Sequence, residues 1–331
     1  MKKALYILRP EVGDIYGPMD RETVGNRVEV YAPPRKASVV DREPELLADL
    51  QILLSSWGCP RLDERFLEAA PNLEAVFYAA GSIRNFVTPA FWEKDIPICS
   101  AWAANAVPVA EFTLAQIILC LKRTYELTEV FRKTHHRPTE LASELVGAYG
   151  GTVGLVSLGM IGRKVIDLLR CLHVQVLAYD PYVTPDEGRE LGVTMVDLDE
   201  LFREADVVSL HTPWLKETEN MIRGEHFRSM KPHAAFINTA RGAVVCEEEM
   251  IAELQRRPDL QAVLDVTFPE PPADDSPLWT MDNVLLTPHM AGSMGHERQR
   301  MGHYMVGELQ RYLDGEPLHY RISREQAAIM A

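Results

Sequence analysis

Three stretches in the second half of the chain carry polar residues that a β-strand has no need of. They are Asn238-Thr239-Ala240-Arg241-Gly242, Leu264-Asp265-Val266-Thr267-Phe268-Pro269-Glu270-Pro271 and Leu286-Thr287-Pro288-His289-Met290-Ala291-Gly292. Each continues an apolar, strand-like run. In an open parallel sheet the carboxyl ends of the strands face the ligand crevice. An arginine, a glutamate and a histidine are therefore expected to converge there. Singly, each has an ordinary reading: a solvated charge, a loop carboxylate between prolines, a Pro-His turn. Their shared position behind strands of one array is what points to a site.

A fourth stretch, Val153-Gly154-Leu155-Val156-Ser157-Leu158-Gly159-Met160-Ile161-Gly162, joins a strand to a helix. A G-x-G-x-x-G turn of this kind sets backbone N–H groups and a helix N-terminus against a pyrophosphate. Here Ser157 stands in the first glycine position, which leaves the turn geometry open. Gly159 still admits the pyrophosphate, with Met160 and Ile161 beside it at the helix start, and Gly162 still permits close helix–strand packing. Asp180 ends the next strand-like run, at the distance where an acidic residue accepts hydrogen bonds from the adenosine ribose. It would repel a 2′-phosphate, so the expected cofactor is NAD rather than NADP.

The elements that must position these groups fall into two alternating arrays. The first hundred residues give strand-like runs at Lys3–Leu8, Val28–Tyr31, Gln51–Ser55, Glu74–Ala80 and Ile96–Ser100, with helical patterns such as Glu43–Leu50 and Asp63–Ala70 between them. A mostly apolar run, Val109–Arg123, reads as a long helix with Pro108 in its first turn, where a missing N–H costs nothing. Residues 134–151 are polar and read as a connection. The second array has strands at Thr152–Leu158, Val174–Tyr179, Val193–Val196, Val207–His211, Ala234–Thr239, Gln261–Val266 and Val284–Thr287, with helices such as Leu198–Glu204 and Glu247–Gln255 in the gaps. Near-continuous apolar strands alternating with helices indicate α/β architecture with parallel sheets covered on both faces. A last helix, about Ser293–Leu313, is too short for a domain of its own and is expected to pack onto the first array.

Composition narrows the function classes. The 331 residues suggest two domains. The formal net charge of −14 disfavours a nucleic-acid partner. The longest apolar run, Val107–Leu121, holds Glu111 and Gln116 and is shorter than a membrane span, so no membrane partner is expected. The apolar patch near the start is cut by Arg9, which favours a cytoplasmic chain over a secreted one. The five cysteines are odd in number and lack metal-type spacing, so neither a disulfide framework nor a metal site is expected.

Together with His211-Thr212-Pro213, Met230-Lys231-Pro232 and Pro277-Leu278-Trp279, the polar strand ends resemble the D-isomer-specific, NAD-dependent 2-hydroxyacid dehydrogenase family. The likeness runs from about Asn105 to Gly292 and is weak before it, except around Ala80-Gly81. It implies a flavodoxin-like substrate domain (1–103, completed by 292–331), a Rossmann NAD-binding domain (104–291), and a cleft between them. It implies hydride transfer between NAD(H) and a small 2-hydroxy or 2-keto acid. Arg241 then looks like the group that grips the substrate carboxylate, a task its planar fork suits. His289 looks like the general acid–base and Glu270 like its partner, a carboxylate that stabilises imidazolium. Gly81 and Ser82 resemble backbone donors to the substrate carboxylate. His211, Thr212, Pro213 and Thr218 resemble residues around the adenine and ribose. Thr239, Ala240, Asp265 and Gly292 resemble the nicotinamide side. A homodimer formed through the NAD-binding domain is the family expectation. Corepressors similar to the family leave an NAD-sensing interaction module as the alternative. The Gly81–Asn85 loop lacks the acidic residue often found there, and Arg84 could meet a second acidic group of a substrate. The identity of the acid is not legible.

Overall fold

The computed structural model describes residues 1–143 and 145–329. Contacts divide it into two compact units, one of residues 1–105 with the stretch from Ser293 on, the other of Ala106–Gly292. The expected boundaries differ from this by two residues or fewer, and residues 330 and 331 of the expected first domain lie outside the described residues.

The first unit holds β1 (Lys3–Ile7), β2 (Glu29–Val30), β3 (Ile52–Ser55), β4 (Ala75–Tyr78) and β5 (Ile98–Ser100), all parallel, in the order 2-1-3-4-5. That is the flavodoxin-like doubly wound order. Alternate residues feed two cores: Ala4 and Tyr6 join one, Leu5 and Ile7 the other. Burying a side chain the size of Leu5 or Ile7 is worth about 2 kcal/mol. The helix Glu297–Asp314 supplies Met301, Met305, Val306 and Leu309 to the first of these cores.

The second unit holds β6 (Tyr149–Val156), β7 (His173–Tyr179), β8 (Thr194–Met195), β9 (Val207–Leu210), β10 (Ala235–Asn238), β11 (Gln261–Leu264) and β12 (Val284–Leu286). The strands are parallel, in the order 12-11-10-9-6-7-8. Renumbered within the unit and read from the other edge this is 3-2-1-4-5-6-7, the dinucleotide-binding order extended by one strand. Val153 and Leu155 face one core, Val156 and Leu210 the other.

The expected strands lie within two residues of the observed ones at every end except the start of β6, which comes three residues earlier, but several other expectations fail. The long helix runs Trp102–Leu121, so Pro108 lies in its interior rather than its first turn. The apolar run thereby gains a preceding turn and makes a 20-residue helix, long and apolar enough to cross a membrane by length and composition. The expectation that it was too short is corrected on that point. Yet 56% of that span is buried within the protein, as in a core helix. Ala110, Ile117, Cys120 and Leu121 pack in the second unit's core. The expected helix Glu43–Leu50 is only a 3-10 turn, Pro44–Leu47, started by its proline. The expected connection 134–151 contains a helix, Thr139–Ser143, and the start of β6, while residue 144 lies outside the described residues. The last helix begins at Glu297 rather than Ser293, because Ser293 N–H is taken by the Asn105 side chain and Gly295 turns at a φ of +50°.

Candidate active site

Register places the second unit's candidate residues along one edge. Tyr179, Val156, Leu210, Asn238, Leu264 and Leu286 are successive partners across six strands. Asp180, Ser157, His211, Thr239, Asp265 and Thr287 each come next in the chain, so every polar loop named above leaves the sheet from this row. Parallel strands explain it: all carboxyl ends lie on the same side.

At the phosphate loop, Ser157 adopts a φ of +77°, the left-handed conformation that the missing glycine would have taken freely. Its N–H donates to Tyr179 O at 2.7 Å, and its hydroxyl pairs with the Thr212 hydroxyl at 2.9 Å. The turn survives the substitution because the serine is tied at both ends. A Cβ on Gly162 would lie 2.4 Å from Ser157 O, so that helix–loop approach requires glycine. A Cβ on Gly159 would meet nothing within 4 Å, leaving open space at the helix N-terminus. The helix Met160–Leu169 makes its first bond from Arg163 N to Gly159 O, so the N–H groups of Met160 and Ile161 precede its hydrogen-bond ladder. The donor set and the space both fit a pyrophosphate.

Asp180 does more than the sequence suggests. Its two carboxylate oxygens accept the N–H groups of Leu158 at 2.7 Å and Tyr182 at 2.8 Å. It fixes the loop, and each oxygen keeps a second lone pair. His211 is buried, and its Nε2 lies 3.1 Å from the Ser209 hydroxyl. Burial pushes this imidazole down to about 4 from the usual 6.5, so it is neutral. Its Nδ1 is buried without a hydrogen-bond partner. Thr218 donates to Pro213 O at 2.6 Å and accepts from Leu215 N at 2.8 Å, closing the loop after β9.

Beyond β10, Asn238 braces the turn that carries Arg241. Its Nδ2 donates to Arg241 O at 3.1 Å and its Oδ1 accepts from Ala240 N at 3.0 Å. Thr239 Oγ1 lies 3.2 Å from Thr113 Oγ1 of the long helix. Arg241 Nη1 donates to Ala240 O at 2.6 Å. A Cβ on Gly242 would fall 2.0 Å from Thr267 C, so this turn lies directly on the loop after β11.

The loops after β11 and β12 meet at a dyad. His289 Nδ1 and Glu270 Oε1 are 2.5 Å apart. Both side chains are about half exposed, at 49% and 40%. His289 has a φ of +51°, and its backbone N–H is shared between Asp265 O and Thr287 O. Glu270 thus occupies the Nδ1 side of the ring, opposite its other nitrogen, Nε2. The loop is held by Asp265, only 2% exposed. This carboxylate accepts from Thr287 Oγ1 at 2.5 Å, Met290 N at 2.8 Å and Ala291 N at 2.9 Å. The resemblance implies a nicotinamide-side contact for Asp265, whereas its observed partners all belong to the His289 loop. Gly292 closes this loop and is half-buried.

In the first unit, Gly81 and Ser82 follow β4. Gly81 O accepts from the Ser100 hydroxyl at 2.5 Å. A Cβ on Gly81 would be 3.8 Å from Asn105 Nδ2. Sequence reasoning gave no role to Asn105, Asn238 or Thr113. The signal for Asn238 was available, a polar residue closing the apolar run Ala235-Phe236-Ile237. Among the described residues no group of three or more His, Cys, Asp or Glu side chains is placed to hold a metal.

Sheet order, phosphate loop and helix N-terminus define a dinucleotide-binding α/β protein. Residues 114–291 match the D-isomer specific 2-hydroxyacid dehydrogenase, NAD binding domain, and the chain belongs to that family. The D-3-phosphoglycerate dehydrogenase of Synechocystis sp. is 31% identical over 267 residues, 81% of this chain and 47% of that protein. The chain spans about half the length of the D-3-phosphoglycerate dehydrogenases it matches. The (S)-sulfolactate dehydrogenase of Chromohalobacter salexigens is 35% identical over 255 residues, 76% of this chain and 82% of that protein. The D-isomer specific 2-hydroxyacid dehydrogenase of Lactobacillus delbrueckii ssp. bulgaricus, solved in its NAD-complexed form, matches with a TM-score of 0.78 at 25% identity, covering 98% of this chain and 100% of that one.

Proposed function

We propose that the protein is an NAD(H)-dependent dehydrogenase of small 2-hydroxy acids. The observation that carries this reading is the His289–Glu270 pair, 2.5 Å apart at the carboxyl edge of a dinucleotide-ordered sheet. Bound NAD(H) supplies or accepts the hydride at C2. His289 Nε2 takes the hydroxyl proton in oxidation and returns it in reduction. Glu270 holds the imidazole by Nδ1 and favours its charged form. Arg241 binds the carboxylate through its guanidinium fork and polarises the neighbouring carbonyl. Gly81 and Ser82 donate backbone N–H groups to the same carboxylate. Met160 and Ile161 offer N–H groups to the pyrophosphate beside Gly159. Asp180 accepts from the ribose hydroxyls and disfavours a 2′-phosphate, selecting NAD over NADP. His211, Thr212, Pro213 and Thr218 line the adenosine side, and Thr239, Ala240, Asp265 and Gly292 the nicotinamide side. A homodimer formed through the second unit is what membership of the family leads one to expect.

Steady-state reduction of a panel of 2-keto acids with NADH and NADPH tests the reading. At least one acid should oxidise NADH, with a preference of about tenfold or more over NADPH, equivalent to about 1.4 kcal/mol. His289→Ala should lower kcat by about 10²-fold or more, while NADH titration still shows binding. Failure of every acid to oxidise NADH would remove the dehydrogenase reading, and NADH-dependent capture of a protein partner would favour the interaction module.

A further inference from the structure

The helix Glu297–Asp314 runs against the strands of the first sheet with its start at their carboxyl edge. Ser293 N, just before it, donates to Asn105 Oδ1 at 2.9 Å, and Asn105 Nδ2 lies against Gly81. At the far end, Tyr312 OH donates to Glu74 beside the start of β4, 3.1 Å away. Arg298 therefore sits in the first turn, on the side of the sheet where the Gly81 loop emerges.

The state of its guanidinium is unusual. Arg298 Nε is shut off from solvent with no hydrogen-bond acceptor. Its Nη2 has only the Met294 sulfur, 3.9 Å away, a weak acceptor. Its central carbon is 5.8 Å from the centroid of the Trp57 ring, and Trp57 follows β3 at the same edge. Among the described residues no carboxylate lies within ion-pair distance of it, in a chain whose 48 Asp and Glu outnumber its 34 Lys and Arg. A surface arginine would hydrate its Nε and swing freely. This one is desolvated on one side and oriented by an aromatic face, which is how a guanidinium is made ready for an anion. Leaving such a donor without an acceptor is costly, and an arriving oxyanion removes the cost.

We propose that Arg298 is a specificity-determining residue that binds a second anionic group on the substrate. The preferred substrates are then 2-hydroxy and 2-keto acids with a carboxylate, phosphate or sulfonate at the far end from C2. This rests on the dehydrogenase reading above. Arg300 is the internal control: it lies two residues on, where helical geometry turns it to a different face, and its Nη1 is also without a partner.

The test compares NADH oxidation with 2-oxobutyrate, oxaloacetate, 3-sulfopyruvate and 3-phosphohydroxypyruvate, so that carboxylate, sulfonate and phosphate are separate arms. At least one charged acid should exceed 2-oxobutyrate in kcat/KM by about tenfold or more. Arg298→Met should remove about tenfold or more of that preference while 2-oxobutyrate stays within about twofold. Arg298→Lys should recover part of it, and Arg300→Met should leave the ratio unchanged. No preference in the unaltered chain, or an equal loss for all acids in Arg298→Met, would overturn the proposal. Calorimetric titration with succinate and butyrate separates this failure from failure of the dehydrogenase reading. Tighter succinate binding that Arg298→Met abolishes supports the subsite even in a chain that reduces none of the acids; equal binding by the two chains refutes it.

Discussion

The two sheets present their carboxyl edges in different chemical states. At the second, most of the polar groups named are committed to one another, His211 Nδ1 excepted. Asp265 holds three donors of the His289 loop, Asn238 spans the Arg241 turn, Asp180 ties Leu158 to Tyr182, and Glu270 faces His289. At the first, Gly81 and Ser82 offer mainly backbone, and Arg298 has only a ring and a sulfur for company. The difference separates two tasks. Groups that move protons must be held in place before substrate arrives, because misplacement costs rate steeply. Groups that recognise substrate gain most when their donors are unspent beforehand. The braced edge should therefore respond to mutation in both stability and turnover, and the unspent edge in selectivity.

The largest effect that could break this contrast is at Asp265. Asp265→Ala would strand the Thr287 hydroxyl and the Met290 and Ala291 N–H groups in a site that is 2% exposed. The expected loss is on the order of 4 kcal/mol by denaturant unfolding, with a kcat loss of about tenfold or more because His289 rides on the same loop. Wild-type stability and turnover in this variant would mean that the bracing is incidental.

Asp265 also marks the limit of what the sequence discloses. The strands were legible because apolar runs bounded by polar loops are a local signal. The resemblance paired Glu270 with His289. Neither could show that Asp265 serves the His289 loop, because that depends on two loops whose backbones meet only after β11 and β12 pair. Pro108 was misread because the helix begins six residues before it, at Trp102, where Ala101 and Ala104 lie in the first unit's core. Arg298 lies in Glu297-Arg298-Gln299-Arg300, which reads as an ordinary solvated helix face. Only the position of Trp57, more than two hundred residues earlier, makes it distinctive.

A second test of the braced edge uses pH. The folded chain holds His211 neutral, with its ionisation at about 4, whereas the unfolded chain takes up the proton from 6.5 downward. In that window the unfolded state binds more protons, so stability rises with pH. The contribution is complete above about 6.5 and is lost as pH falls toward 4, to a limit of about 3 kcal/mol. Urea midpoints at about pH 7 and about pH 5 should therefore fall less between the two in His211→Gln than in the unaltered chain. Equal falls would show that His211 is solvated in the folded protein.

The smallest effect is the most discriminating for the phosphate loop, because two opposing terms meet at Ser157. Its left-handed backbone costs about 1–2 kcal/mol relative to glycine. Glycine would recover that, but would lose the hydrogen bond to Thr212, worth about 1 kcal/mol, and would give the unfolded chain more freedom, worth about 0.5–1 kcal/mol. Ser157→Gly should thus leave stability within about 1 kcal/mol of the unaltered chain. Ser157→Ala keeps the strained backbone and loses the bond, so it should be the less stable of the two variants. Combining Ser157→Ala with Thr212→Val should cost less than the sum of the single changes, since both remove the same hydroxyl pair. If the alanine variant were as stable as the glycine variant, the left-handed backbone at Ser157 would cost no more than the extra freedom glycine gives the unfolded chain, about 0.5–1 kcal/mol, and an additive double variant would show that the Thr212 hydroxyl is not the serine's partner.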